Sequence, residues 1–304
     1  MKRLNNLYEK VYSIDNLMLA DINARKGKLR SYGVLKHDRS KEANIQLLHE
    51  MLKSETFVSS PYKVFKIHEP KEREIYQLPY FPDRICHHAI MNVMEPIWVS
   101  IFNNDTYSCI KGKGIHAALE KVRHDIKDVD GTRFCLKLDV RKFYPTIDHE
   151  ILKSIIRKKI KDVQLLKLLD EIIDTAPGVP IGNYLSQYFA NIYIAYFDHW
   201  IKEEKCVKYY YRYADDMVIL MDNKEDLHKL FAEIKQYFHE HLKLEIKKNY
   251  QVFPVSARGL DFIGYRIYHT HILLRKSIKK AFARKAAKKA GRKVLASYYG
   301  WAVH

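Results

Sequence analysis

The sequence predicts an α+β fold in which an antiparallel sheet is backed by amphipathic helices, and three stretches carry that expectation. In YYYRYADDMVILM, Val207, Tyr209, Tyr211 and Tyr213 alternate with Lys208, Tyr210 and Arg212, and a second apolar run covers Met217 to Met221. This reads as two strands with Ala214, Asp215 and Asp216 at the turn. Downstream, Leu227, Leu230, Phe231, Ile234, Tyr237, Phe238 and Leu242 recur at helical spacing and form the clearest amphipathic helix, one that packs under a sheet. LEIKKN, YQVFPVS and GLDFIGYRIYHTHILL then read as strands, with Gly264 allowing close backbone approach. No internal repeat or low-complexity linker interrupts the chain, so one continuous body is expected.

The N-terminal part carries two helical patterns, Leu4-Leu7-Tyr8-Val11 with Ile14-Leu17-Met18, and Ala43-Leu47-Leu48-Met51-Leu52, joined through the basic loop Arg25 to Arg30. From Tyr62 the pattern turns to strands, VFKIHEP and REIYQLPYFP, with Lys71 and Arg73 on or beside the hairpin, where charge-assisted hydrogen bonds would grip a triphosphate. Asp83 reads as the N-cap of a helix containing Ile85, Ala89, Ile90, Val93, Met94 and Ile97, with His87 and His88 on its surface. The glycine pair in DTYSCIKGKGIHA fits neither a Walker A loop nor a dinucleotide fingerprint. Asp148 reads as the N-cap of a helix with Leu152, Ile155, Ile156, Val163, Leu166 and Leu169 on its apolar face, reaching Ile173. From Ser186 a second helix runs through Phe189, Ile192, Tyr193, Tyr196 and Trp200. Ser186 and Gln187 at its N-terminus suit contact with a nucleotide or strand backbone. The segment Arg275 to Lys293 reads as a basic helix able to track phosphates.

Lys and Arg exceed Asp and Glu by 17 in these 304 residues, and the pI near 9.5 points to a polyanionic partner, nucleic acid ahead of membrane. The N-terminus lacks the apolar segment of a signal peptide, and no run approaches the roughly 20 apolar residues of a membrane span. A cytoplasmic location without membrane contact is therefore expected. Cys86, Cys109, Cys135 and Cys206 are scattered singly, so core thiols are expected rather than a zinc site or disulfides.

Two adjacent carboxylates at a buried hairpin tip repel each other unless a cation sits beside them. Oxygen-only ligands favour Mg²⁺ or Mn²⁺. A bare Asp-Asp pair is usually an ordinary turn, so a third carboxylate is needed, and FCLKLDVRKFYPTIDHE supplies one. Its alternation ends a strand at Asp139, on the face opposite Leu136 and Leu138. Tyr144 follows, placed to put a ring under a bound sugar where a ribose 2′-OH would clash; a plain core tyrosine is the other reading.

The order strand-Asp139, helix, loop-helix with Ser186-Gln187, Tyr-x-Asp-Asp hairpin, amphipathic helix and Phe-Ile-Gly-Tyr strand resembles a reverse transcriptase along almost the whole chain. PIGNYLSQYFANIYI is most similar to the enzymes of diversity-generating retroelements; group II intron and retron enzymes usually carry a PQG form with Ser-Pro. HEPKEREIYQLPYFPDRICHHAIMNVMEPIW and LLRKS resemble that family too. The resemblance implies a right-hand polymerase fold: an N-terminal helical extension over 1–60, fingers over 61–133, a palm over 134–268 with part of the fingers at 150–180, and a short basic helical thumb over 269–304.

It also implies a site. Asp139, Asp215 and Asp216 would be catalytic, binding two Mg²⁺ ions, or Mn²⁺, with the Val140 carbonyl as a further ligand. Lys71 and Arg73 would neutralise the triphosphate, Tyr144 would select deoxyribonucleotides, Ile181 would face the nascent pair, and Gln187 would bind the nucleotide. Ser186, Arg275, Lys276, Lys279 and Lys280 would contact nucleic acid, and Lys247 or Lys248 would protonate pyrophosphate. The expected partners are template RNA, a cDNA or DNA primer, dNTPs and a small basic accessory protein.

Ile181 stands where most relatives carry the PQG glutamine, and Ile110 where they tend to carry arginine. The first departure fits adenine-directed infidelity in mutagenic retrohoming. A phage-defence or retron-type reverse transcriptase is the alternative. A basic RNA-binding scaffold, which leaves the three aspartates unexplained, and a metal nuclease, which needs no steric-gate tyrosine, are the readings from other classes.

Overall fold

The computed structural model describes residues 3–68, 72–288 and 291–302, so Lys71 lies outside the described residues. Helices α1 (Tyr8–Tyr12), α2 (Ile14–Ala24), α3 (Tyr32–Asp38) and α4 (Lys41–Lys53) precede a hairpin of β1 (Lys63–Ile67) and β2 (Arg73–Gln77). Next come α5 (Ile85–Val99), α6 (Ile115–Asp125), β3 (Phe134–Asp139), α7 (His149–Arg157), α8 (Val163–Ile173) and α9 (Tyr184–His199). The central hairpin is β4 (Tyr209–Tyr213) and β5 (Asp216–Met221), followed by α10 (Lys224–Leu242), β6 (Gln251–Pro254) and the single turn α11 (Val255–Arg258). Strands β7 (Leu260–Phe262), β8 (Tyr265–Ile267) and β9 (Ile272–Leu274) lead into α12 (Lys276–Ala287) and α13 (Arg292–Ala302). Two compact units interleave in sequence: Met1–Phe102, Lys142–Tyr196 and Leu242–Leu244 form the first, and Asn103–Arg141, Phe197–His241 and Glu245–His304 the second.

In the first unit, the stretch read as one helix from Asp148 to Ile173 is two. Asp148 caps α7 by accepting from Ile151 N–H, and Asp162 caps α8 by accepting from Leu165 N–H. An aspartate that captures a backbone donor starts a new helix more readily than it continues an old one. Asp162 is buried and also accepts from Leu7 N–H at 2.6 Å and Tyr8 N–H at 3.0 Å, so the break ties α1 to α8. Val163, expected on the apolar face, is exposed. Asp83 is not an N-cap either. It sits in a π-helical turn, Tyr80–Arg84, where its carboxylate accepts from Ser60 N–H at 2.8 Å. His87 and His88 are buried rather than on the surface, His88 stacking on Tyr184 with centroids 4.1 Å apart. Because α2 and α5 pack along each other, α5 loses the solvent face that the periodicity assigned to it.

The second unit is built on a four-stranded antiparallel sheet of order β4-β5-β3-β6 and a three-stranded sheet β7-β8-β9. One face of the larger sheet places Cys135, Tyr211, Val218 and Leu220 in a core with Leu119 and Val122 of α6 and Phe262 of β7. The other face carries Tyr210, whose ring meets Phe197; Phe197 in turn meets Phe238 of α10, with centroids 4.7 Å apart. With both faces covered, Tyr209, Tyr210, Tyr211 and Arg212 are all buried, and only the flanks of the alternation, Lys208 and Tyr213, keep exposure. Arg212 is fully buried, and its Nε and Nη2 donate to Asp198 at 2.5–3.0 Å.

LEIKKN is not a strand: Ile246 makes an isolated antiparallel bridge with Val140. The basic C-terminal segment comprises two helices, α12 and α13, rather than one. Gly264 does permit close approach, since a Cβ there would lie 2.4 Å from the Trp301 ring. Cys86 and Cys135 are buried as expected of core thiols, but Cys206 is exposed.

The buried pair makes a prediction. Asp198→Ala leaves the Arg212 charge in the core without its carboxylate, and denaturant unfolding should show a loss of about 3–5 kcal/mol. Replacing both residues by apolar ones of similar volume should cost much less, and equal losses would contradict the orphaned-charge account.

Candidate active site

The acidic residues converge in the second unit because strand register brings them together. Asp139, the last residue of β3, is the partner of Asp216, the first residue of β5, and Tyr213 of β4 faces Asp216 from the other side. Asp216 thus belongs to the strand, and the turn itself is Ala214-Asp215. Ala214 takes φ 55°, the left-handed conformation that a two-residue hairpin turn requires at its first position. Arg212 Nη1 donates to the Ala214 carbonyl at 3.1 Å, so the buried Arg212–Asp198 pair also holds the turn.

Two lysines reach this cluster. Lys247 Nζ binds Asp139 Oδ2, while its backbone N–H donates to the Asp139 carbonyl at 2.9 Å. Lys137, on the same face of β3 as Asp139, places Nζ 3.6 Å from Asp216 Oδ2 and also donates to the Asp261 carbonyl. Asp261 is in turn paired with Arg275 at 2.5 Å. Arg275, expected to contact nucleic acid, therefore has its guanidinium engaged, whereas Lys276, Lys279 and Lys280 are exposed on α12. Val140 is buried in its bridge with Ile246.

Neutralisation is incomplete. Asp139 Oδ1 and Asp216 Oδ1 are buried and accept no hydrogen bond. Burial, a hydrogen bond that protonated Asp215 donates to Asp139, and the Asp139 charge push Asp215 up to about 7 against the pull of Lys247. Burial pushes Asp216 up to about 6; Asp139 adds to the shift, and Lys137 and Arg275 oppose it. Buried carboxylates resist ionising unless further positive charge arrives. Among the described residues, no group of three or more His, Cys, Asp and Glu side chains is gathered closely enough to hold a metal ion. The donor type suits a hard divalent cation, and the two orphaned oxygens supply acceptor capacity.

The first unit carries the remaining expected positions. Arg73 opens β2 and is exposed. The 180–182 loop is stitched to this hairpin through Tyr76 N–H, which donates to the Ile181 carbonyl at 2.8 Å. Gly182 has φ 127°, and a Cβ there would lie 2.5 Å from the Tyr76 carbonyl oxygen, so glycine is required. Tyr144 is half-buried in a 3₁₀ turn, and its carbonyl accepts from Val179 N–H at 2.8 Å. Tyr144, Ile181 and Arg73 thus lie on backbone segments tied through one loop. The helix after this loop begins at Tyr184 rather than Ser186. Ser186 is buried and donates to the Pro180 carbonyl at 2.6 Å, which takes up the hydroxyl expected to meet nucleic acid; Gln187 is exposed. Ile110 is buried.

Mixed helices, an antiparallel sheet and an acidic hairpin beside a strand-end aspartate define a right-hand polymerase fold of the α+β class. Telomerase structures share it: apo telomerase from Candida tropicalis aligns with TM-score 0.53 at 13% identity, over 73% of this chain and 49% of that one. Telomerase from Candida albicans in complex with a fragment of telomeric RNA aligns with TM-score 0.53 at 12% identity, over 75% and 50%. These likenesses show the fold alone.

Residues 68–267 match the family Reverse transcriptase (RNA-dependent DNA polymerase), and the chain belongs to that family. It is similar to protein YkfC of Escherichia coli K12, 24% identical over 271 residues, covering 73% of this chain and 71% of YkfC. It is also similar to the group II intron-encoded protein LtrA of Lactococcus lactis subsp. cremoris, 23% identical over 305 residues, covering 76% of this chain and 50% of LtrA. The chain thus spans about half the length of LtrA and of the telomerase chains. Among the described residues, no helix is long and apolar enough to cross a membrane.

The raised carboxyls set a direction for pH dependence. The folded state holds protons on Asp215 and Asp216 more tightly than the unfolded chain, where the ordinary value is 3.8. Their stabilising contribution is complete below that value, falls progressively as pH rises above it, and is gone once pH passes about 6 to 7. With a chelator present, thermal melts should show Asp215→Asn/Asp216→Asn gaining on the native chain between about pH 4 and pH 7, with no further gain above that. A gap independent of pH would remove this account.

Proposed function

We propose that the chain is an RNA-directed DNA polymerase that makes cDNA by two-metal nucleotidyl transfer, serving an error-prone retroelement in mutagenic retrohoming. The observation that carries the catalytic part is the register pairing of Asp139 with Asp216 at the tip bearing Asp215, with two buried carboxylate oxygens left without partners. Two Mg²⁺ ions, or Mn²⁺, bound there would activate a primer 3′-OH and stabilise the charge of the departing pyrophosphate. Asp139, Asp215 and Asp216 would hold them, with the Val140 carbonyl as a further donor, once Lys247 and Lys137 yield the oxygens they engage. Lys247, if released from Asp139, or Lys248 would give a proton to pyrophosphate. Lys71 and Arg73 would neutralise the triphosphate, and Tyr144 would exclude a ribose 2′-OH. Template RNA, primer and dNTPs are the implied partners, with a small basic accessory protein supplementing the grip of α12.

The retroelement assignment rests on PIGNYLSQ and on Ile181 in particular. An apolar side chain at this position cannot hydrogen-bond to a nascent pair, so it removes one check on pairing. The similarity to LtrA supports a second reading, an intron-associated reverse transcriptase.

Primer extension on an RNA template with Mg²⁺, followed by sequencing of the cDNA, tests these statements. Asp215→Asn/Asp216→Asn should reduce extension to background while the protein still folds; persisting extension would defeat the catalytic assignment. The native chain should misincorporate mainly opposite template adenine, and Ile181→Gln should lower that error. An unchanged error spectrum would remove Ile181 from the account, and uniformly accurate cDNA would count against the error-prone retroelement and favour the phage-defence or retron-type alternative.

A further inference from the structure

Lys137 lies on a strand face that leads into the core. Cys135, Lys137 and Asp139 share this face of β3, and Cys135 is buried there against α6 and β7. The Lys137 side chain is 23% exposed, so protein oxygens must stand in for much of the water around its ammonium. Two strands supply them. The Asp261 carbonyl of β7 accepts a hydrogen bond from Nζ, and Asp216 Oδ2 of β5 lies 3.6 Å away. Only the first contact is short enough for a hydrogen bond, so Nζ is shared between the two residues rather than committed to Asp216.

A row of alternating charge continues outward from this ammonium. Asp261 Oδ1 accepts from Arg275 Nε at 2.7 Å and lies 2.5 Å from Nη2. Arg275 immediately precedes α12, and its backbone N–H donates to the Gly264 carbonyl at 2.9 Å, which fixes it on the β7-β8 hairpin. Arg275, Asp261, Lys137 and Asp216 therefore run plus, minus, plus, minus from the base of the basic helix to the acidic cluster. The outer end is accessible, since Arg275 is 39% exposed and stands beside the exposed Lys276, Lys279 and Lys280. Inside, Lys137, Asp139 and Asp261 line a cavity of about 330 Å³, which leaves the ammonium room to turn.

We propose that Lys137 is a positioning residue, a resident counter-cation that holds Asp216 until nucleic acid engages Arg275, and that its release raises the metal affinity of the acidic cluster. A backbone phosphate that takes the Arg275 guanidinium leaves the Asp261 carboxylate without its cation. Lys137, already bonded to the carbonyl of the same residue, turns to that carboxylate and frees Asp216 Oδ2 for a divalent ion. A unit positive charge beside a ligand oxygen opposes such an ion, so its withdrawal strengthens binding. Nucleic acid and metal then bind with positive coupling, and linkage makes the factor equal in both directions. The choice of nucleic acid as trigger rests on the polymerase reading, but the charge row does not.

The test is Mn²⁺ binding to the full chain, followed by loss of the free-ion electron paramagnetic resonance signal, with Asp215→Asn/Asp216→Asn as the blank. Without nucleic acid, Lys137→Met should bind Mn²⁺ about tenfold more tightly than the native chain. Lys137→Arg keeps the charge and should stay close to native. Arg275→Gln should also tighten binding, because it frees Asp261 to draw Lys137 away, and Lys137→Met/Arg275→Gln should fall well short of the product of the two single effects. The full product would mean that Arg275 acts on the cluster through its own field, and it would overturn the relay, as would a Lys137→Met chain that binds Mn²⁺ no more tightly than native. Circular dichroism checks folding. Should Lys137→Met fail to fold, Asp261→Asn/Arg275→Gln takes its place and should lose the tightening that Arg275→Gln shows alone; tightening retained there overturns the relay equally. In the reciprocal arm, anisotropy of a labelled RNA–DNA duplex should show Mn²⁺ strengthening native binding by a factor of about 5 to 150. Asp261→Asn should cut that factor about fivefold, and an unchanged factor would contradict the coupling. Primer extension on the same preparations separates the two readings. Native extension with Mn²⁺ affinity indifferent to Lys137 and Arg275 overturns this inference alone, and the expected affinities with no extension on any template overturn the polymerase reading alone.

Discussion

A buried ion pair underlies the geometry of the acidic hairpin. Arg212 and Asp198 are both fully buried, and the carboxylate accepts from Arg212, from Tyr210 OH at 2.6 Å and from Thr106 Oγ1 at 3.0 Å. Burial alone would pull the guanidinium pKa down, but the Asp198 charge outweighs it and holds the group above its ordinary value. A pair of this kind is weak evidence for net stability, because desolvation offsets much of the attraction. What it supplies here is position. One guanidinium binds Asp198 with two nitrogens and the Ala214 carbonyl with the third, so the strand end and the turn cannot shift independently. Backbone bonds from Arg212 N–H to Asp105 and from Tyr107 N–H to Arg212 add a second constraint.

That rigidity makes the electrostatic strain of the tip tolerable. Three carboxyls are held together by register rather than by mutual attraction, and each would relax away if the backbone allowed it. Lys247 and Lys137 counter part of the repulsion, but each binds a single oxygen of its carboxylate and leaves the other buried and unpaired. Lys247 is positioned by its own main chain, whose N–H binds the Asp139 carbonyl, so its side chain stays near the cluster whichever acceptor it uses. Lysine is a compact point charge on a flexible stem, suited to exchanging one anionic partner for another.

The sequence made the order of elements, the strand-end Asp139 and the acidic hairpin legible, because each rests on local periodicity. Positions determined by tertiary covering were not legible. Arg212 looked like the polar phase of an alternating strand, and nothing local shows that α10 and Phe197 seal that face. A large cation inside an otherwise aromatic strand was the available signal, and Asp198, late in an apolar helix, was its counterpart. His87 and His88 were misplaced for the same reason. Asp83 and Asp162 carry the composition of caps, yet only Asp162 serves as one, and its additional bonds to Leu7 and Tyr8 lie more than 150 residues away in sequence. Ser186 shows the converse: a polar residue in a promising place whose hydroxyl is consumed by the adjoining loop.

The excess of positive charge acquires meaning once its distribution is known. A net charge of +17 gives the whole surface an attraction for polyanions but does not say where one binds. Lys137, Lys247 and Arg275 are engaged with carboxylates in the acidic cluster and its surroundings, so their charge is largely compensated locally. Lys276, Lys279 and Lys280 have no such partners among the described residues, and neither do Lys28, Lys36, Lys63 and Arg84, which line a cavity of about 840 Å³ in the first unit. Those two groups differ in kind. The α12 lysines stand on an exposed helix, where each contributes a solvated charge that salt screens readily. In the cavity, burial lowers the pKa of Lys28 and Arg84, and that partial desolvation strengthens their pull on an anion. An exposed charged helix of this sort attracts any phosphate backbone, whereas cations gathered in a cavity attract only an anion that fits its shape.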